Sequence, residues 1–280
     1  MHFGDIEVLP IHGGTFYLDG GAMFGVVPKT LWEKKAPGDE HNRIRLAGNS
    51  LLLRVKGRTI LVETGNGTKW DPKLRTIYGI QDGDPLKDSL ERTGVTLDKI
   101  DMVINTHLHF DHAGGNTRFV NGRDVAAFPN AQYVVQRAEL EHALNPTERD
   151  RASYFADRIV PVTDAGQWQL VDGDMRIVPG VSVVRIPGHN ADIQAVKISG
   201  GGRTLIFVAD MLPTRHHLPL AWMPGYDLYP LQTLETKRAR ITEIVNEGWI
   251  VAFGHDPDFP AATLHERNGQ VDFEPVDLSK

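Results

Sequence analysis

Between positions 105 and 116 the chain reads Asn105-Thr106-His107-Leu108-His109-Phe110-Asp111-His112-Ala113-Gly114-Gly115-Asn116. Three imidazoles and a carboxylate fall within six positions, directly after the apolar run Met102-Val103-Ile104. Extended chain sends alternate side chains to one face, so His107 and His109 would point together at one ion. Where the backbone turns after the strand, Asp111 and His112 can face a second. Gly114 and Gly115 let the chain pass close to the site. A lone histidine is usually a surface or core residue, but a cluster this dense behind a strand reads as a ligand pattern. The chain has no cysteine, which excludes disulfides, thiolate nucleophiles and cysteine-bound zinc. Imidazole and carboxylate donors suit zinc, and equally manganese, iron or cobalt; zinc is the default as a Lewis acid without redox chemistry.

These residues need rigid elements to hold them. Runs rich in Val, Ile and Leu predict strands at Ile6–Ile11, Ser50–Lys56, Thr59–Val62, Met102–Asn105 and Gln132–Val135. A second set is predicted at Met175–Val178, Val181–Ile186, Ile193–Ile198, Thr204–Val208 and Ile250–Phe253. Lys56-Gly57-Arg58 and the glycine-rich run from Ser199 to Arg203 read as hairpin turns. Helices are expected at Pro85–Thr93, Arg137–Leu144, Pro146–Asp157 and Pro230–Glu247, the last with Leu231, Leu234, Ile241, Ile244 and Val245 near helical spacing. Two strand clusters interleaved with helices predict two sheets packed face to face with helices outside. With no repeat or low-complexity linker, residues 1–280 read as one domain with loop insertions near 10–49 and 211–229.

The 280 residues are 41% hydrophobic, as expected of an ordinary packed core. No apolar run approaches the roughly 18 residues of a membrane helix, and the start lacks a secretion-signal pattern, so no membrane partner and a cytoplasmic location are expected. Thirty basic against 36 acidic residues give a net charge of −6, which argues against nucleic acid as a partner.

The run His107-Leu108-His109-Phe110-Asp111-His112 resembles the His-x-His-x-Asp-His signature of the metallo-β-lactamase superfamily. With Ala113-Gly114-Gly115-Asn116, and with Val135-Gln136-Arg137-Ala138-Glu139 downstream, it is most similar in motif to the N-acyl homoserine lactonase group. The resemblance implies an α+β fold, an αββα sandwich of two mixed sheets flanked by helices. It also implies three more ligands. His189 lies in a Pro187-Gly188-His189 turn, Asp210 ends the run Leu205–Ala209, and His255 lies in Gly254-His255-Asp256. By the same resemblance His107, His109 and His189 would hold one divalent ion, Asp111, His112 and His255 another, and Asp210 would bridge them. Val62-Glu63-Thr64-Gly65 is similar to the family's Asp-Thr-Gly turn, with Glu63 where Asp is usual.

Two such ions roughly 3.5–4 Å apart can share a hydroxide and polarise a carbonyl or phosphoryl oxygen. The resemblance gives Asp111 a second, catalytic role, passing a proton to the leaving group. The group's tyrosine three residues after the bridging aspartate is replaced by Pro213, leaving Tyr226 or Tyr229 to supply a hydroxyl. Met23, Phe24, Val26, Val27, Trp32, Trp222 and Met223 suggest an apolar mouth for an acyl or aryl group, or else anchors for the loops. The expected activity is hydrolysis of esters or lactones, with small-molecule substrates. The alternatives are a promiscuous aryl esterase or phosphotriesterase, a thioesterase similar to glyoxalase II, and a mononuclear iron dioxygenase of the same fold. Many relatives form dimers through loop regions, so the resemblance allows a homodimer.

Overall fold

A computed structural model describes residues 1–280. The first sheet takes His2–Phe3 (β1), Ile6–Asp19 (β2), Arg43–Val55 (β3), Arg58–Val62 (β4), Met102–Ile104 (β5), Gln132–Gln136 (β8) and Trp168–Val171 (β9), in that spatial order. Thr117–Val120 (β6) and Arg123–Ala126 (β7) form a separate hairpin. The second sheet runs in sequence order through Met175–Val178 (β10), Val181–Arg185 (β11), Gln194–Gly200 (β12), Arg203–Phe207 (β13), Ile250–Ala252 (β14), Ala261–Arg267 (β15) and Gln270–Pro275 (β16). Both sheets are mixed. The pairs β4–β5, β5–β8, β8–β9 and β13–β14 are parallel and the remaining pairs antiparallel.

The helices are Gly20–Phe24 (α1), Lys29–Trp32 (α2), Pro72–Ile77 (α3), Pro85–Arg92 (α4), Phe110–Ala113 (α5), Arg137–Leu144 (α6), Ala156–Asp164 (α7) and Pro230–Glu247 (α8). The largest core cluster draws on both sheets: Val8, Leu53 and Ile104 from the first meet Val183, Ile198 and Phe207 from the second. A second cluster, including Leu52, Leu61 and Val103, covers the outer face of the first sheet with Leu86 and Leu90 of α4. Alternation along β3 therefore sends Leu53 inward and Leu52 outward, giving a two-sheet sandwich with helices outside.

Parallel strands need crossover connections, and their carboxyl ends open onto a shared crevice. Glu63 follows β4, the segment from Asn105 follows β5, Asp210 lies shortly past β13 and His255 past β14. The parallel pairs in the two sheets thus deliver the candidate ligands to one edge of the sandwich.

Two expectations need correction. The stretch 10–49 is not mainly loop: β2 and β3 pair from Glu7–Arg54 to Asp19–Arg43, leaving only 20–42 between them. Their register shifts between His12 and Thr15, where Gly13 and Gly14 interrupt the alternation by which a strand is recognised. The helix expected at Pro146–Asp157 is displaced to Ala156–Asp164. Asp150 accepts hydrogen bonds from Thr147 N and Oγ1 and starts a single turn, but Ser153 O is taken by Phe110 N, so the turn is not continued as helix. The stretch 211–229 is irregular, apart from short 3-10 turns at Ala209–Met211 and Arg215–His217.

Candidate metal centre and its mouth

The seven candidate ligands are buried and meet in two groups, His107–His109–His189–Asp210 and Asp111–His112–His255–Asp210. Within each group, one donor atom per residue lies within 4.8 Å of all the others. His189 Nε2 stands 3.1 Å from His109 Nδ1 and 3.2 Å from Asp210 Oδ2. Across the centre, His255 Nε2 stands 2.9 Å from His112 Nε2, 3.0 Å from Asp210 Oδ1 and 3.4 Å from Asp111 Oδ2. Four ligands about 2.0–2.1 Å from a tetrahedral zinc would be separated by about 3.3 Å, the spacing these atoms approach. Asp210 gives one oxygen to each group.

The fit to cations can be tested on charge and on hydrogen bonding. His107 Nε2 and Asp210 Oδ1 are buried and have no hydrogen-bond partner. Asp111, Asp210 and Glu63 form ion pairs only with imidazoles, never with lysine or arginine. Burial pushes His107 and His109 well below the usual histidine range, and neighbouring imidazoles push them further. Burial also opposes a charge on His112, but Asp210, Asp111 and Glu63 outweigh it and hold that ring well above the ordinary value. A buried carboxylate cluster that drives a proton onto its nearest ring lacks positive charge, and the donor set fits divalent ions.

The surroundings orient each ring. Glu63 is buried, accepts a 2.6 Å hydrogen bond from Thr106 N, and sets its second oxygen 3.2 Å from His112 Nδ1. The longer side chain thus reaches the motif from behind, with its backbone in the left-handed region at φ 64°. Ala209, immediately before Asp210, is also left-handed at φ 43°, so strain sits on both sides of the centre. His189 Nδ1 lies 2.9 Å from Asp227, and His255 Nδ1 2.9 Å from the carbonyl of Ala47. Gly114 and Gly115 allow the expected close passage: a Cβ there would fall 2.2 Å from Asn66 O and 2.4 Å from Thr64 O.

A cavity of about 150 Å³ opens onto the cluster, lined in part by Leu18, Met23, Tyr78, Asp111 and Tyr226. Leu18, Tyr78 and Tyr226 are shared with a neighbouring cavity of about 480 Å³, whose wall also includes Tyr17 and Ile77. Tyr226 therefore reaches the mouth. Tyr229 lines neither cavity; it caps the start of α8, its N–H donating to Gly188 O. Tyr78 was not foreseen. It follows α3, a six-residue helix with no buried face and so no apolar periodicity to reveal it. Its ring stacks on Phe110 at 5.0 Å, and burial, then the charge of Asp111, raise its phenol pKa. Burial likewise raises that of Tyr226. Pro213 serves through its backbone, accepting from His255 N at 2.9 Å.

The apolar mouth needs revision. Of the seven residues named for it, only Met23 lines the metal-facing cavity. Phe24, Val27 and Trp32 join Met23 in a buried cluster with Phe16, Ile44 and Leu46, and Trp222 packs against it, 5.7 Å from Phe24. Val26 is exposed. Most of these residues anchor loops; Leu18, Tyr78 and Ile77 take their place as apolar walls. Asp227 and Asn190 were also missed, since single polar residues in irregular segments carry no pattern.

Comparison with known proteins agrees with this geometry. The family model described as Metallo-beta-lactamase superfamily matches residues 43–255. The N-acyl homoserine lactonase AiiA of Bacillus thuringiensis subsp. kurstaki is 30% identical over 220 residues, covering 73% of this chain and 79% of the lactonase. A probable metal-dependent hydrolase from Staphylococcus aureus superposes with a TM-score of 0.91 at 28% identity, covering 99% of both chains. An N-acyl homoserine lactone hydrolase with N-hexanoyl-L-homoserine at its catalytic metal center gives 0.69 at 26% identity, covering 92% of this chain and 95% of that one. The family match begins where β3 begins and ends on the last candidate ligand, so the chain belongs to the metallo-β-lactamase superfamily and is a metallo-hydrolase.

Proposed function

We propose that the protein is a dinuclear hydrolase of esters or lactones, and that acyl homoserine lactones are the first substrates to test. The observation carrying this reading is the pair of donor groups sharing Asp210 beside a cavity with apolar walls. His107, His109 and His189 would hold one ion, Asp111, His112 and His255 the other, with Asp210 common to both. When bound, zinc-like ions supply a water-derived nucleophile at neutral pH and Lewis-acid polarisation of the carbonyl.

The chain's own residues do the rest. The Asp111 carboxylate faces both the cavity and the second donor group, so it can take a proton from the nucleophile's side and return it to the leaving oxygen. Tyr78 and Tyr226 keep their phenol protons, because burial raises both pKa values. Either can donate a hydrogen bond to the oxygen on which charge develops. The apolar walls of the adjoining cavity would take the acyl chain and exclude water from it. Similarity to a lactonase that carries an acyl homoserine at its metal centre supports this substrate class.

The test is a hydrolysis screen of lactones, aryl esters, thioesters and phosphotriesters on metal-reconstituted protein, with metal content measured alongside. Two zinc-like ions per chain with lactone turnover is the expected result. A single iron with oxygen uptake would overturn the reading.

A further inference from the structure

Glu139 stands two residues into α6 and is 1% exposed, and no lysine or arginine pairs with it. A bare carboxylate is costly to bury, so its partners are informative. Oε1 accepts from Leu108 N at 2.8 Å and from the Tyr154 hydroxyl at 3.2 Å; Oε2 accepts from Asn190 Nδ2 at 2.8 Å. Leu108 lies between His107 and His109, and Asn190 follows His189. One carboxylate therefore grips, from behind, both segments that carry the three imidazoles of a single donor group. Tyr154 adds to the grip, its ring edge-on to His109 at 4.6 Å. The other donor group has different supports, Glu63 behind His112 and Ala47 O behind His255.

We infer that Glu139 is a positioning residue for one half of the metal centre, fixing His107 and His109 against His189. It sets the affinity of that half and leaves the Asp111–His112–His255 half alone. This rests on the two-group reading above. The role requires a carboxylate and not merely a side chain of this size, because Leu108 N and the Asn190 amide are both donors and each needs an acceptor. A glutamine would satisfy one and set an N–H against the other. Exchanging the partners in Glu139→Gln/Asn190→Asp restores the pairing, with the glutamine amide donating to the new carboxylate.

The experiment is a cobalt titration of metal-free wild type, Glu139→Gln and the double exchange, against a chelator of known affinity, with the visible d–d spectrum recorded at each step. Melting of the three metal-free proteins checks that each is folded. The wild type should take two ions. In Glu139→Gln one of them should bind 10- to 100-fold more weakly, the range typical for losing an outer partner of a metal ligand. The spectrum at one equivalent should then be that of the Asp111–His112–His255 half alone, and the double exchange should recover most of the loss. Unchanged affinities, equal weakening of both ions, or no recovery would overturn the inference. A wild type that takes one ion would sink the two-group reading instead. Glu139 would then be supported if Glu139→Gln weakens that ion and the double exchange restores it, and overturned otherwise.

Discussion

At the scale of single residues, the candidate centre is a set of buried donor atoms that face one another, His107 Nε2 and Asp210 Oδ1 having no hydrogen-bond partner at all. Asp111 lines the cavity while its carboxylate lies 3.4 Å from His255 Nε2. Asp111→Asn removes the proton carrier but keeps one oxygen donor. Turnover should fall by about 10²–10⁴, the usual contribution of a general acid–base group, with the His107–His109–His189 half still metal-bound. Measuring kcat and metal content on the same sample checks this, and undiminished kcat would end that role for Asp111. The candidate ligands of the 107–112 run were legible because they form a dense pattern: imidazoles two apart just past a strand, then a carboxylate and a third ring at the turn. Tyr78, Asp227 and Asn190 were not, because their contribution depends on where remote segments fold.

At the scale of elements, the irregular 211–229 stretch is held through two buried groups, a lysine of α8 and its own His217. Lys237 of α8 is fully buried and its Nζ donates to His217 O, Pro219 O, Leu220 O and Trp222 O at 2.7–3.3 Å. Burial pulls its pKa down to about 7, against the charge of Asp227. Lys237→Met would leave these carbonyls without a donor, and should cost about 3 kcal/mol in denaturant unfolding. His217 ties the same stretch to α1, its Nε2 donating to Met23 O at 2.9 Å and its ring stacked on Phe24 at 4.8 Å. Burial holds His217 down to about 3, so it folds neutral. A folded pKa below the unfolded value means stability that is full above about pH 6.5 and is lost as pH falls toward 3. His217→Gln should therefore be less stable than wild type at pH 7.5, and at pH 5 the gap should narrow by up to about 2 kcal/mol. A gap independent of pH would count against this.

Trp222 belongs to the same scaffold. Trp222→Ala should lower the melting temperature and change KM equally for short- and long-chain substrates; selective loss of the long ones would return it to the mouth. Apolar runs made β11 to β14 readable from the sequence; α8 lies where it was expected, although Leu231 of its apolar spacing is 76% exposed and Thr233 and Lys237 are buried instead. Strands β2 and β3 were only partly readable, since the bulge at Gly13–Gly14 breaks the alternation of β2, and α7 was misplaced because a remote contact, Phe110 N to Ser153 O, stops the turn begun at Thr147.

At the scale of the whole molecule, no helix is long and apolar enough to cross a membrane. The two-sheet sandwich was legible as two clusters of strands, whereas the face-to-face register of the sheets follows only from long-range packing of residues such as Leu53 and Phe207. The first sheet's segment supplies His107, His109, Asp111 and His112; the second sheet's connections supply His189, Asp210 and His255. Chelator should lower the melting temperature and added zinc should restore it, since ligands that bind only the folded state stabilise it by mass action. A melting curve indifferent to chelator would contradict this.

Because neither half of the polypeptide holds a complete set of candidate ligands, ion capture would report on assembly. A chain severed near Val171, its halves separately produced, should leave each half a poor chelator, and mixing them should create tight sites as the halves dock. Metal uptake would then time the final closure of the sandwich, with the cation acting as a clasp across the seam.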